Sequence, residues 1–326
     1  LYLCYKTGNS DFTFNYPIDL FYRPYWNWRY IIYFYSLVTF CLFEYILPNS
    51  LEEAIAARSA NEYSAILAGG QSLIPTMNFR IANPGVLIDI SRIDGLTNIS
   101  IENDEVVVGA MVRQRDLELN KLVHAANPLV HETLEHVAHV PIRCRGTVVG
   151  SLAHADAAAE LPALLLVTDG YVKAEGKEGT RKISADSLFQ FHMTTSLAPN
   201  EIITEVRIPV LSSGAGWAFL EFTRRHGDYA VAGVTAIISL SSDGSCSNAA
   251  LAACGIGSRP VRLIAAEQEL LGTFLDNENI DRAAEAAKPL VTSVDDSHAS
   301  TEFRKHVLAT ILKRTVKIAK SRAGGD

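Results

Sequence analysis

The chain has 326 residues, 48% of them hydrophobic and 20% charged, with a net charge of −7 at pH 7. This balance excludes a disordered chain, and the length predicts two or three domains. The acidic excess argues against a nucleic-acid-binding protein, which needs clustered Lys and Arg. The cysteines at positions 4, 41, 144, 246 and 254 form no C-x-x-C pair and no iron–sulfur cluster motif. They favour a reducing, cytoplasmic location.

The first 45 residues differ in composition from the rest, since they contain 17 of the 28 aromatic residues. Tyr30–Phe43 is almost wholly apolar, but its 14 residues are few for a membrane span, and no signal-peptide cleavage site follows. A membrane-surface anchor, a packed extension and a stretch upstream of the true start remain open alternatives. Residues 1–42 are therefore set apart as an N-terminal extension, and membrane contact is not expected elsewhere.

Alternating helices and strands are predicted from Ser50 onwards. Ser50-Leu51-Glu52-Glu53 has the form of a capping box, followed by a helix to about Arg58. Further helices are predicted at Gln114–Val123 and Pro128–Ala138, and a loop of small residues from Pro141 to Glu160. Leu161–Val167 fits a helix end or a buried strand. The predicted strands are Tyr63–Ala68, Val86–Ile90, two between Leu96 and Ala110, two flanking Lys177-Glu178-Gly179, and a half-buried one at Glu201–Pro209.

An interdomain linker is predicted at 211–216, where Ser and Gly accumulate. Antiparallel strands are predicted beyond it, then helices, and this order indicates an α+β domain. Asp243-Gly244 supplies a hairpin turn between two of the strands. The predicted strands are Trp217–Thr223, Val231–Leu240 and Cys246–Gly255, and the predicted helices are Val261–Leu271, Ile280–Leu290 and Glu302–Lys320.

The first candidate site is the loop Ala68-Gly69-Gly70-Gln71-Ser72-Leu73, which follows a predicted strand. Consecutive glycines allow a tight turn without a Cβ to block a ligand, so successive N–H groups can converge on an anion such as a pyrophosphate. Ser72 adds a hydroxyl donor. A plain turn at a strand end is the alternative, and the G-x-G-x-x-G pattern of a standard dinucleotide-binding turn is absent.

The second candidate site is residues 143–156, Arg-Cys-Arg-Gly-Thr-Val-Val-Gly-Ser-Leu-Ala-His-Ala-Asp. Its glycines and small side chains indicate a backbone that approaches a ligand closely. Asp156 and Glu160 could accept hydrogen bonds from ribose hydroxyls or an adenine amino group, and a surface loop with two solvated carboxylates is the alternative. The histidines between 124 and 139 have irregular spacing, so no metal ligand is assigned, and no catalytic side chain is assigned either.

Taken together, these motifs resemble the FAD-binding medium subunit of the xanthine dehydrogenase and carbon monoxide dehydrogenase family. The similarity extends from about Phe43 to Ala323. The matching segments, in chain order, are Ala-Gly-Gly-Gln-Ser-Leu at 68–73, Arg-Gly-Thr-x-x-Gly-Ser-Leu-Ala-His-Ala-Asp at 145–156, Ala-Glu-Leu-Pro-Ala at 159–163, Asn-Glu-Ile-Ile at 200–203 and Arg-Arg-His-Gly-Asp-Tyr-Ala at 224–230.

The resemblance implies an α+β protein with an FAD-binding domain of the vanillyl-alcohol oxidase (PCMH) type. Its two subdomains are expected at about 43–95 and 96–211, and a small α+β C-terminal domain at 217–323. Asp156, Glu160 and Ile203 are expected to line the cofactor site. Tyr229 is expected near the isoalloxazine ring, with a half-buried core tyrosine as the alternative. The pyrophosphate is expected at Ala68, Gly69, Gly70, Gln71, Ser72, Leu73, Thr147, Gly150 and Ser151.

The resemblance also implies an oxidoreductase subunit that transfers electrons. In that family a large subunit oxidises substrate at a molybdopterin cofactor, and a small subunit with two [2Fe–2S] clusters passes electrons to FAD and so to an external acceptor. This chain is expected to bind FAD and to assemble with both subunits into a dimer of heterotrimers. A stand-alone FAD-dependent oxidoreductase of the same fold is the main alternative, and a non-catalytic protein that has lost FAD is a second.

Two positions depart from the family pattern. Family members usually carry a second Gly at the position of Val149, and often Asn at that of Cys144. Because Val rarely adopts a positive φ, a looser or shifted second loop is expected, and the effect of Val149 on FAD affinity is left open. Cys144 is expected to be a small buried side chain.

Overall fold

The computed structural model describes residues 43–324, so the prediction made for residues 1–42 lies outside the described part. The described residues form sheets of three, five and four strands and a two-stranded ribbon, with helices packed between and over them. This mixture of helices and largely antiparallel sheets confirms the α+β class. No helix within 43–324 is long and apolar enough to cross a membrane.

The first sheet is parallel and has the order β1-β3-β2. Its strands are β1 (Glu44–Ile46), β2 (Ser64–Leu67) and β3 (Val86–Asp89). Helix α1 (Leu51–Ala60) joins β1 to β2, and Ser50 Oγ accepts from Glu53 N as predicted. The reciprocal bond of the predicted capping box is shifted by one residue, because the Glu53 carboxylate accepts from Asn49 N and not from Ser50 N. Helix α2 (Leu73–Asn78) follows β2. Because the strands are parallel, the loop between β2 and α2 leaves the sheet at its carboxyl edge.

The second sheet is antiparallel and has the order β4-β5-β10-β6-β7. Its strands are β4 (Ile99–Glu102), β5 (Glu105–Gly109), β6 (Tyr171–Gly176), β7 (Gly179–Ser184) and β10 (Ile202–Pro209). Helix α9 (Ala185–Leu188) and the ribbon of β8 (Phe189–Phe191) and β9 (Thr194–Thr195) precede β10. Ile203 pairs with Ala174, and a bulge follows it, which leaves Ile202, Ile203 and Thr204 all buried.

A run of short helices connects β5 to β6. They are α3 (Gln114–Glu118), α4 (Lys121–Ala126), α5 (Pro128–His136), α6 (Val140–Arg143), α7 (Val148–His154) and α8 (Glu160–Val167). The single helix predicted from Gln114 to Val123 is wrong, because the Asn120 side chain caps α4 by accepting from Leu122 N and Val123 N. The loop predicted from Pro141 to Glu160 is also wrong, since it contains α6 and α7. Small residues there mark close helix packing.

The third sheet is antiparallel and runs in chain order. Its strands are β11 (Gly216–Phe222), β12 (Ala232–Leu240), β13 (Cys246–Cys254) and β14 (Val261–Arg262). Strand β14 occupies the start of a predicted helix, which therefore begins only at Ile264. The remaining helices are α10 (Ile264–Leu270), α11 (Asn277–Ala287), a 3-10 turn (Lys288–Leu290) and α12 (Thr301–Ala323).

Both faces of this third sheet are buried. On β12, Ile237 packs into the core shared with the first two sheets, whereas Val234 and Ile238 pack under the terminal helices. On β13, Ala252 and Leu251 divide between the same two cores. Alternate side chains point to opposite faces of a strand, so the sheet separates the two cores and presents one face to the helices α5 and α8.

Candidate cofactor site

The first glycine loop presents a row of free backbone N–H groups. The N–H groups of Gly70, Gln71, Ser72 and Leu73 donate to no acceptor within residues 43–324. Gly70 has φ of +72°, and Ile74 N donates to Gly70 O to begin α2. The Ser72 side chain makes no capping bond. Free N–H groups on one turn are suited to an anion that accepts several hydrogen bonds at once.

The second glycine loop is fastened to the end of the β4–β5 hairpin. Gln114 N donates to Gly146 O (2.9 Å), and Val148 N donates to Val112 O (3.2 Å). Thr147 then caps α7, with its Oγ1 accepting from Gly150 N at 3.0 Å. Ala68–Leu73, Thr147, Gly150 and Ser151 are thereby brought to one region, because the two loops touch.

The contact between the loops is made by backbone at Gly69. A Cβ there would lie 2.5 Å from Arg145 O, 2.7 Å from Gly146 Cα and 2.8 Å from Thr147 N. No larger residue fits without separating the loops, so Gly69 is required by the close approach. Gly69 and Arg145, which are 76 positions apart in the sequence, thus lie on one surface.

Two expectations about the second loop are wrong, namely a loosened backbone at Val149 and a buried Cys144. Val149 lies within the right-handed helix α7 with 3% of its surface exposed, so the position needs no positive φ and Val fits it. Cys144 is exposed, because the buried position beside it belongs to Arg143. Arg143 Nε donates to Glu118 Oε2 at 2.7 Å in a buried ion pair that joins α6 to α3.

The carboxylates after the second loop are buried, which contradicts the alternative of a solvated pair. Asp156 is 6% exposed and Glu160 4%. Asp156 Oδ1 accepts from Ala158 N at 2.9 Å and holds the turn that leads into α8. Burial, followed by the negative charge of Glu221, raises the pKa of Glu160 to about 8. Glu160 is therefore protonated at neutral pH.

Tyr229 lies on the segment between β11 and β12 and is 57% exposed, so it is not a half-buried core residue. Loss of water around the hydroxyl, together with the charges of Asp156 and Glu160, raises the pKa of Tyr229 to about 12. The phenol therefore faces the same carboxylates and stays neutral. Ile203 has its side chain in the core on β10, at 4% exposure.

Sequence reasoning missed three residues of this region. Arg113, just before α3, donates to the carbonyl of Arg145, and Gln114, the first residue of α3, donates to Gly146 O, so both support the second loop. Glu221 lies on β11 with a side chain 5% exposed. A carboxylate on the buried face of a strand was a usable signal for Glu221. No comparable signal in the sequence pointed to Arg113 and Gln114, because their partners are about 30 residues away.

Comparisons with known proteins place this geometry in a family. The model of the FAD-binding domain in molybdopterin dehydrogenases matches residues 41–211, and that of the CO dehydrogenase flavoprotein C-terminal domain matches residues 217–319. The chain belongs to the FAD-binding subunits of the molybdopterin dehydrogenase family.

Relatives of this flavin subunit align along almost their whole length. Over 282 residues, 86% of this chain and 95% of the relative, it is 41% identical to the 6-hydroxypseudooxynicotine dehydrogenase complex subunit alpha of Paenarthrobacter nicotinovorans. It is 33% identical to the carbon monoxide dehydrogenase medium chain of Afipia carboxidovorans, again over 86% of this chain and 98% of the relative. The family is one of oxidoreductases, and its cofactor is FAD.

Solved structures show the same fold. Carbon monoxide dehydrogenase from Hydrogenophaga pseudoflava superposes with a TM-score of 0.84 at 34% identity, over 86% of this chain and 98% of that chain. Quinoline 2-oxidoreductase from Pseudomonas putida 86 also gives 0.84 at 34% identity, over 88% of this chain and 99% of that chain. The fold and family expected from the sequence motifs are thereby confirmed.

Proposed function

We propose that this flavin subunit passes electrons from the [2Fe–2S] clusters of a partner subunit through FAD to an external acceptor. The observation that supports it best is the contact of the two glycine loops at Gly69, with free N–H groups on the first loop. A diphosphate is an anion with many acceptor oxygens, and this cradle offers free N–H donors beside two glycines that have no Cβ. The residues present therefore fit the group.

The proposed cofactor contacts follow the structure of the site. The diphosphate would be held by the two loops, with the Thr147 cap keeping the second loop in shape. Asp156 and Glu160 are buried just after the second loop in the chain, and Tyr229 is exposed but near enough to both carboxylates for their charges to raise its pKa. The proposed set is Ala68, Gly69, Gly70, Gln71, Ser72, Leu73, Thr147, Gly150, Ser151, Asp156, Glu160, Ile203 and Tyr229. When bound, FAD supplies a ring system that takes electrons singly and delivers a pair, while the protein binds and orients it.

The domain division is part of this proposal. We place the FAD-binding domain at 43–211, with subdomains at about 43–95 and 96–211, and the C-terminal domain at 217–323. The ranges of the two matching family models support the division. The parallel sheet and the five-stranded sheet correspond to the two subdomains. A cytoplasmic location stays a prediction from the cysteine spacing.

The partners are inferred from the relatives, which are named as a complex subunit and as a medium chain. We propose assembly with a small [2Fe–2S] subunit and a large molybdopterin subunit as a dimer of heterotrimers. Obligate interfaces of this kind are large and partly apolar. Phe79 and Ile81, each 78% exposed at the end of α2, are apolar side chains suited to such a contact.

Co-expression with the two partner subunits tests the proposal. One complex containing molybdenum, iron and FAD is expected. The first substrates to test are the compounds that appear in the names of the relatives, which are 6-hydroxypseudooxynicotine, quinoline and carbon monoxide. A compound that the complex oxidises should bleach the flavin absorbance of the complex and leave that of the isolated chain unchanged, whereas dithionite should bleach both. Bleaching of the isolated chain by the same compound would instead indicate a stand-alone flavoenzyme.

A further inference from the structure

A buried row of side chains crosses the third sheet on the face toward α8. Glu221 on β11 pairs directly with Gly233 on β12, and Gly233 pairs with Cys254 on β13. A Cβ at Gly233 would lie 2.8 Å from Cys254 Sγ and 3.3 Å from Glu221 Cβ. The glycine therefore lets its two neighbours lean over the middle strand and share one space.

Glu160 faces the same space from the other side. Gly255 N donates to Ala157 O at 2.8 Å, which fixes the turn before α8 against the end of β13. The thiol of Cys254 is fully buried, and its pKa is well above the usual range because of burial and the nearby charges of Glu221 and Glu160. Both carboxyl groups thus lie close to one buried thiol.

The two carboxyl groups are poorly neutralised. Glu221 Oε1 lies 3.3 Å from His136 Nδ1, and Glu221 Oε2 is buried without a hydrogen-bond partner within residues 43–324. Arg143 is already held by Glu118. Carboxylates that are buried in one space do not readily ionise together, because water cannot solvate their charges. The charged and titratable groups that face the pair are His136 on α5, Arg143 on α6, Asp156 before α8, Tyr229 before β12 and Cys254 on β13.

We propose that Glu160 and Glu221 hold one proton between them at neutral pH, and that His136 exchanges this proton with solvent. His136 is the suited route, because its side chain is 31% exposed while that of Glu221 is 5% exposed. The imidazole can take a proton from water on one nitrogen and donate from the other to Glu221. For each proton that Glu221 receives from one imidazole nitrogen, the other nitrogen takes one from water, so the imidazole returns to its starting charge.

The role of the pair in electron transfer, described next, rests on the proposed function. Glu160 lies close enough to Tyr229 for its charge to affect the phenol, so the pair lies beside the cofactor site. Negative charge that arrives in this site by electron transfer would increase the affinity of the pair for a second proton. The pair would then take up a proton from solvent through His136 and compensate the charge within the protein.

Infrared titration of the full chain in D2O tests the proposal directly. A protonated carboxyl band is expected at pH 7 and should disappear with a midpoint of about pH 8, the pKa of Glu160. Glu160→Gln should remove the band. Glu221→Gln should keep it and lower the midpoint by about one pH unit, because a like charge is removed. Glu135→Gln is the matched control, since Glu135 lies on the same helix as His136 with a side chain 58% exposed, and it should change nothing.

The unaltered protein alone can overturn the proposal. Absence of the band at pH 7 would show that the pair holds no proton, and its persistence in Glu160→Gln together with Glu221→Gln would show that the band belongs to another carboxyl group. The exchange route is tested by His136→Phe, which should slow the hydrogen–deuterium exchange of the band at least tenfold; an unchanged rate would overturn the role of His136.

FAD binding is measured separately by absorbance. A chain that lacks FAD but shows the band contradicts the proposed function only, and a chain that binds FAD without the band contradicts the proton pair only.

Discussion

Gly69 is the residue on which the contact of the two loops depends. Gly69→Ala should weaken FAD binding at least tenfold, about 1.4 kcal/mol, because the added Cβ would lie 2.5 Å from Arg145 O and force the loops apart. Fluorescence titration of the apoprotein with FAD measures the change. Gly70 is a less specific target, since its φ of +72° would strain any side chain, so Gly70→Val should lower stability as well as FAD affinity.

Gly85→Ala is the control for this substitution. Gly85 has no atom within 4 Å of an added Cβ, and its φ is not in the left-handed region, so FAD affinity should not change. If Gly69→Ala binds FAD as tightly as the unaltered chain, the contact between the loops is not needed for the site.

Glu160 makes the stability of the fold depend on pH in an unusual direction. Its pKa rises from an ordinary 4.5 to about 8 on folding, so between these values the folded state binds a proton that the unfolded state does not. The free energy of unfolding should therefore fall as pH rises from 5 to 8, by at most roughly 1.4 kcal/mol per pH unit. Urea unfolding at a series of pH values measures it. Glu160→Gln should flatten this dependence, and an unchanged slope would assign it to other groups.

At the scale of elements, helix α7 carries the second loop and begins at a single capping hydrogen bond. Thr147→Val removes the acceptor for Gly150 N and should lower the free energy of unfolding by about 1 kcal/mol. It should also weaken FAD binding, since the loop would lose its fixed shape. Thr147→Ser keeps the hydroxyl and should restore most of both quantities. An unchanged free energy of unfolding in Thr147→Val would show that helix α7 does not need the cap.

At the scale of the whole molecule, residues 1–40 precede the family match, which begins at 41, and residues 1–42 lie outside the described structure. A shortened chain that begins at Phe43 should fold and bind FAD with unchanged affinity, because β1 and all later elements are retained. Circular dichroism and FAD titration check this. A chain that begins at Ser50 is the matched comparison; it lacks β1, which pairs with β3 over three residues, and should be less stable. Failure of the Phe43 chain to fold would show that the aromatic segment belongs to the core.

Much of the local structure was determined by the sequence itself, because periodicity and turn chemistry act over a few residues. The sequence predicted the alternation on β10, the long apolar strands β12 and β13, the Ser50 cap and both glycine loops. The motifs also identified the family. Predicted boundaries were wrong in two kinds of place. One is Asn120, whose side chain caps a new helix, and the other is the segment of small residues that packs as helices instead of forming a loop.

Only the tertiary structure decided which of these segments meet. The contact of Gly69 with Arg145–Thr147 joins loops more than 70 residues apart, and nothing in either loop encodes the distance. Arg143 is the buried residue at this point of the chain, where it pairs with Glu118, and Cys144 beside it is exposed. Glu160 and Glu221 are ordinary carboxylates in the sequence, and it is burial in the folded chain, followed by the nearby charge of Glu221, that raises the pKa of Glu160. Such properties depend on water excluded by distant parts of the chain, so they arise only when the chain is folded.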